Sequence, residues 1–169
     1  ASVYDGALRS ICALERDKRG DEIRISTIYS AGTYIIQNYI RQFLAQTPGA
    51  RISVEYRQFS QIYSDVSSGK ADFGFLACPY RKCAGLTLLP VAKDEMVLVA
   101  GSGSPLAGRK SLSVGELAEL DFIFFDRAFP SRRYIDAFLK SHGVKPRVKL
   151  ELDNIETIKT AVASGAGVS

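Results

Sequence analysis

The sequence predicts an α/β protein built on mainly parallel sheets, and three observations carry that prediction. Strand-like runs alternate with helix-like runs of about a dozen residues. Each helical run has a single apolar stripe, and Gly or Pro stands where one run gives way to the next. With 169 residues, of which 46% are hydrophobic, the chain can bury a sizeable core, so one or two compact units are expected.

The elements follow in order. Val3, Ala7, Ile11 and Leu14 recur at helical spacing, and the charged stretch "ERDKRGDE" reads as a helix end running into a linker. From Ile23 the pattern becomes a strand, "IRISTIY", followed by the turn "SAGT" and a helix with Ile36, Ile40, Phe43 and Leu44 inward, stopped by Pro48 and Gly49. The cycle repeats with the strand "RISVEY", a helix from Ser60 carrying Ile62, Tyr63 and Val66 inward and ending at Gly69, and the strand "ADFGFLA". Two further strands are expected at "LTLLPV" and "EMVLVAG", and Ser113 to Glu116 form a capping box that opens a short helix. The strand "FIFF" precedes a helix from Ser131 with Ile135, Phe138 and Leu139 inward, ended by Gly143 and Pro146. Then come the alternating strand "RVKLEL" and a helix carrying Ile155, Ile158 and Val162, with Asp153 and Glu156 as a second box. No internal repeat or low-complexity tract is present. The Gly/Ser-rich "AGSGSPLAG" at 100–108 is where a chain could pass between lobes.

Composition narrows the function classes. No apolar run approaches the roughly 20 residues needed to cross a bilayer, and the N-terminus lacks the regions of a signal peptide, so a cytoplasmic protein without membrane contact is expected. Three cysteines in such a chain read as free thiols rather than a disulfide framework. The net charge of +4 comes from 22 basic and 18 acidic residues that are interspersed, without the stripe of a phosphate-tracking surface. If nucleic acid is the ultimate partner, this segment is not expected to touch it.

Ligands of open α/β sheets bind beyond the carboxyl ends of strands, where helix starts present unpaired N–H groups. Four such places stand out: Ser30 to Thr33, Phe59 to Gln61, Arg127 to Arg133, and Asp153 to Glu156. Each offers a hydroxyl, amide or cation suited to a small anion, although a Ser or Asn there is more often only a cap. Arg132 and Arg133 lie in a first helical turn, where a cation opposes the helix dipole. They read as solvated surface, or, if one of them faces a cleft, that one is the candidate to pair with a carboxylate or phosphate. Cys78 and Cys83 in "CPYRKC" sit beside Arg81 and Lys82, which could lower a thiol pKa for a redox or metal role. The single His142 and the spacing match no zinc pattern, so incidental free thiols are the base reading, with Cys12 as packing. Phe124, Phe125 and Phe129 read as core. Nucleophile elbow, Walker loop and dinucleotide fingerprint are all absent, so no enzyme, cofactor or metal is expected.

Together these residues resemble the effector-binding domain of LysR-type transcriptional regulators, from about Ile23 to Ser169. The resemblance is carried by the order and spacing of "IRISTIYSAGTYIIQNYIRQFLAQTPGARISVEY", "SSGKADFGFL", "GSPLAGRKSLSVGELAEL" and "LDNIETIKTAVASGAGVS". "VEYRQFSQIYSDV", "FIFFDRAFPSRRYIDAFLKSHGV" and "ELDNIETIKTAV" are most similar to the regulators of carbon-fixation and inorganic-carbon genes. The resemblance implies two Rossmann-like lobes of the periplasmic-binding-protein type 2 kind, C-terminally incomplete. Residues 1–20 would end a linker helix, 21–99 with 154–169 would form lobe I, and 100–153 lobe II, with crossings near Val99 to Gly101 and Leu152 to Asn154. It further implies a small anionic metabolite between the lobes. The implied contacts are Ser30, Ala31, Gly32, Thr33, Phe59, Ser60, Gln61, Ala77, Asp126, Ser131, Arg132, Arg133 and Asn154. A homodimer or homotetramer would reach DNA only through an N-terminal domain absent from this chain. A solute-binding protein for transport on the same two-lobed fold is the alternative.

Overall fold

The computed structural model describes residues 22–79, 84–91 and 93–169. The expected helix over 3–19, with Cys12, and the residues Arg81, Lys82 and Cys83 lie outside them. The chain divides into two units between Glu95 and Met96.

The first unit is a three-stranded parallel sheet in the order β2-β1-β3, with β1 at Glu22–Thr27, β2 at Arg51–Tyr56 and β3 at Phe73–Phe75. Parallel strands are covered on both faces, and accordingly Ile25, Ser26 and Thr27 are all buried. Helix α1 (Ile36–Gln46) buries Ile36, while Ile40 and Phe43 are half-buried and Leu44 is exposed. The expected turn "SAGT" is already helical, because the chain winds from Tyr29 and passes through a π-helical stretch over Ala31–Ile35, a geometry often found at functional sites. Helix α2 (Phe59–Ser67) lies close against β3. A Cβ on Gly74 would come within 2.6 Å of Ile62 Cγ2, so "DFGF" carries its glycine where the helix needs room. Gly69, just past α2, adopts φ 71° and ends the helix in the left-handed region.

The second unit pairs β4 (Asp121–Phe125) with β5 (Arg147–Leu152) in parallel, and Val168 bridges to Phe122 on the other side of β4. Alternation along β4 splits the core. Phe122 and Phe124 pack with Leu139 of α3 (Pro130–Ser141) and Val168, whereas Ile123 packs with Ile158 and Val162 of α4 (Ile155–Ala163). Phe124 is core as expected, while Phe125 and Phe129 are half-buried with rings 5.4 Å apart.

Residues 154–169 group with the second unit, which begins at Met96. The reason is local: α4 has its apolar face on β4, and Val168 N and Ile123 N donate to Asp121 O and Val168 O at 2.9 and 2.7 Å. The strands expected at Leu86–Val91 and Glu95–Gly101 are not strands among the described residues. Leu89, Met96 and Val97 are more than half exposed, and Val99 exchanges backbone hydrogen bonds with Ser169. An apolar run becomes a strand only where another backbone lies alongside. Strand β5 is likewise exposed on both faces, an edge carrying Arg147, Lys149 and Glu151.

The capping box forms at a 3₁₀ turn, Val114–Glu119. Glu116 Oε2 accepts from Ser113 N at 2.8 Å and Ser113 Oγ at 2.9 Å, and Arg109 Nη1 donates to Oε1 at 2.5 Å. Arg109 first, then Ser113, hold the Glu116 carboxyl down at about 2. A folded value below the unfolded one means that the box stabilises above the ordinary range near 4.3 and fades as pH falls from there toward 2. A carboxyl-detected NMR titration should find the Glu116 midpoint near that depressed value, and Arg109→Ala should raise it toward the ordinary range. An unshifted midpoint in the unmodified protein would contradict the arrangement.

Candidate functional site

Because β1, β2 and β3 run the same way, their carboxyl ends share one edge of the first sheet. Ser30 to Thr33, Phe59 to Gln61 and Ala77 are thereby brought to that edge. Ala31 and Gly32 are buried, Ser30 and Thr33 half-buried. Ser30 makes no side-chain cap bond, and neither its hydroxyl nor that of Thr33 has a hydrogen-bond partner among the described residues. The reading of Ser30 as a mere cap therefore fails, and two hydroxyls stand free beside a helix start whose leading N–H groups lack intrahelical acceptors.

Phe59 packs edge-on to Tyr63 at 5.3 Å. Ser60 is exposed, and Gln61 Nε2 is spent on Asp65 Oδ1 at 3.1 Å. Asp65 was not anticipated, although an acid on the inward stripe of Ile62 and Val66 was a signal available in the sequence. It is 2% exposed and accepts from Ser26 Oγ at 3.0 Å, with Arg57 Nε at 3.4 Å. Hydrogen bonding from Gln61 leads the effects that hold its carboxyl below the usual range, helped by Ser26, Lys70 and Arg57 and opposed by burial. Arg57 also pairs with Glu55, so this cation is engaged within the unit. Tyr29 and Tyr56, also missed, stand at the same edge with ring centroids 5.4 Å apart.

In the second unit, β4 and β5 bring Asp126, Ser131, Arg133 and Asn154 to their common carboxyl edge. Asp126 Oδ1 accepts from Ala128 N at 2.8 Å, a local Asx turn. Asn154 Oδ1 caps α4 by accepting from Glu156 N at 2.7 Å, so the expected Asp153 box is replaced by an Asn154 cap. Ser131 is half-buried, and Arg133 is exposed without a partner among the described residues.

Arg132 corrects the sequence reading most. It is 3% exposed, and its guanidinium donates to Asp136 Oδ1 at 2.8 Å, Glu151 Oε1 at 2.8 Å and Phe125 O at 2.7 Å, while lying 4.3 Å over the Phe124 ring. Burial pulls its pKa down, but the hydrogen bonds to Asp136 and Glu151 outweigh burial and raise it. This arginine is buried and its donors are engaged within the second unit. At Cys78, burial first, then Asp94, push the thiol pKa up, the opposite of the lowering that a redox role would need. No group of three His, Cys, Asp or Glu among the described residues could hold a metal ion, and no helix of the described residues is long and apolar enough to cross a membrane.

Each of the two parallel α/β units gathers polar helix starts at the carboxyl edge of its sheet, the place where open α/β sheets hold ligands. A family model described as the LysR substrate binding domain matches residues 16–169, and the chain belongs to that family. It is 29% identical over 98% of its length to a probable RuBisCO transcriptional regulator of Cyanophora paradoxa, covering 55% of that protein. It is 26% identical over 99% of its length to the transcriptional activator CmpR of Synechocystis, covering 54%. The chain thus spans about half the length of the curated relatives it matches. Among solved structures, the effector-binding domain of QuiR with shikimate aligns at TM-score 0.78 and 21% identity, over 90% of this chain and 73% of that one. The Synechocystis CcmR regulatory domain with 2-PG aligns at 0.69 and 24%, over 88% and 70%.

Proposed function

We propose that this chain is the sensing part of a transcriptional regulator: a small anionic metabolite binds at the carboxyl edge of the first unit, and occupancy alters how a separate DNA-binding part engages its operator. The observation that carries the proposal is the pair of free hydroxyls, Ser30 and Thr33, at a helix start that offers N–H groups to an anion. At the carboxyl edge of the second unit, Arg133 is an exposed cation. The relatives are regulators by name, which favours this reading over a transport protein. The protein performs no reaction, works in the cytoplasm, and assembles as a homodimer or homotetramer.

Calorimetry with 2-PG, shikimate and inorganic phosphate tests the site. Removing one hydrogen bond to a charged ligand costs about 1.5–3 kcal/mol, so Ser30→Ala or Thr33→Val should weaken binding of the preferred anion by about 10- to 100-fold. Unchanged affinity in both hydroxyl variants would sink the site.

A further inference from the structure

The carboxyl edge of the first unit carries more than hydroxyls and N–H groups. Tyr56 closes β2, and its ring lies over the start of the helical segment after β1. A Cβ on Gly32 would fall 2.5 Å from Tyr56 Cε1 and 2.7 Å from Thr27 Cγ2, so the ring fills the place of the side chain that Gly32 lacks. Tyr29 stands beside it, centroids 5.4 Å apart and tilted by 42°. Both rings are nonetheless 44% exposed. Aromatic side chains that serve only the core are covered. This pair instead keeps surface open at the sheet edge where the segment Ser30 to Thr33 begins its helix.

We infer that Tyr56, seated on Gly32 and flanked by Tyr29, is a specificity-determining wall of the effector site, and that the preferred ligand is an anion bearing a six-membered ring rather than a bare or acyclic one. The inference rests on the effector reading above and deepens it. The physical basis is preorganisation. A ring already held by close contact on one side loses little freedom when a ligand ring packs on the other, and ring–ring contact adds attraction beyond buried area. An acyclic anion can use the hydroxyls and N–H groups but leaves the tyrosine surface in water. The sequence element responsible is the small residue in "SAGT", since any Cβ at position 32 meets the Tyr56 ring.

Two matched probe pairs isolate the ring: phenyl phosphate against methyl phosphate, and benzoate against acetate. The chain has no tryptophan and eight tyrosines, so tyrosine emission reports binding alongside calorimetry. The ring-bearing member of each pair should bind about tenfold tighter. Tyr56→Leu should collapse that ratio toward one, and Tyr56→Phe should preserve it. If Tyr56→Leu fails to fold by circular dichroism, Tyr29→Leu should still reduce the ratio. A ratio near one in the unmodified protein, or one that survives loss of the tyrosine ring, overturns the inference and leaves the effector site standing. Absence of binding by every probe overturns both.

Discussion

Arg132→Ala should destabilise the second unit by about 2–3 kcal/mol, a loss seen as a large drop in thermal midpoint. The substitution removes the Arg132 donor from the Phe125 carbonyl and from the Glu151 carboxylate, which keeps Arg127 as a more exposed partner, and a buried polar group left unpaired costs about 1–3 kcal/mol. It also removes a cation from the Phe124 face, a contact of about 0.5–2 kcal/mol. Full loss of a partner in a buried ion pair would cost about 3–5 kcal/mol, but the Glu151 and Asp136 side chains are 35% and 49% exposed and rehydrate in part, which sets the lower figure. At about 4–8 °C per kcal/mol for a domain of this size, calorimetric melting should show the shift clearly. Arg132→Lys keeps the charge but not the fork that reaches strand and helix together, and should recover only part of the loss. Arg133→Ala, on the solvated face, should stay within about 0.5 kcal/mol. Equal stability of the Arg132 and Arg133 alanine variants would refute the interior role.

Gly167→Ala should be comparably damaging for a steric reason. A Cβ there would lie 2.4 Å from Asp121 O and 3.3 Å from Asp121 C. The obstructing atom is backbone within β4, not the end of a flexible side chain, so the C-terminal segment must move away. That movement breaks the pairing of Val168 with Phe122 and its hydrogen bonds with Asp121 and Ile123, and lifts Val168 off the Phe122, Phe124 and Leu139 cluster. Overpacking of this kind costs about 1–3 kcal/mol, and two lost backbone bonds add about 1 kcal/mol each. Denaturant unfolding should show the midpoint falling, and amide exchange at Ile123 and Val168 should accelerate first. Protection of both amides at the unmodified level would contradict the predicted displacement.

These two positions differ in how far the sequence reveals them. "GAG" announces a turn, but that Gly167 abuts Asp121 O, some 46 positions earlier in the chain, is a tertiary fact. Arg132 beside Arg133 looks like a pair with one fate. Helical geometry places one inward and one outward, and only the packing of α3 on β4 says which.

By itself the sequence determined the α/β class, the apolar faces of α2 through Ile62 and of α4 through Ile158 and Val162, and the helix stops at Gly69 and Gly143. It also located the capping box at Ser113 and the places where helix starts meet strand ends. These are local choices, fixed by the periods of strand and helix and by the backbone demands of Gly and Pro, so neighbouring residues suffice to read them. Tertiary structure alone decided that Asp65 joins Ser26 in the interior, that Arg132 is consumed by Glu151 and Phe124, and that residues 154–169 close the second unit. It also decided that Val99 of "EMVLVAG" pairs with Ser169. Each of these depends on which backbone or charge lies alongside, and burial and hydrogen-bond partnership are properties of distant neighbours that no window of sequence contains.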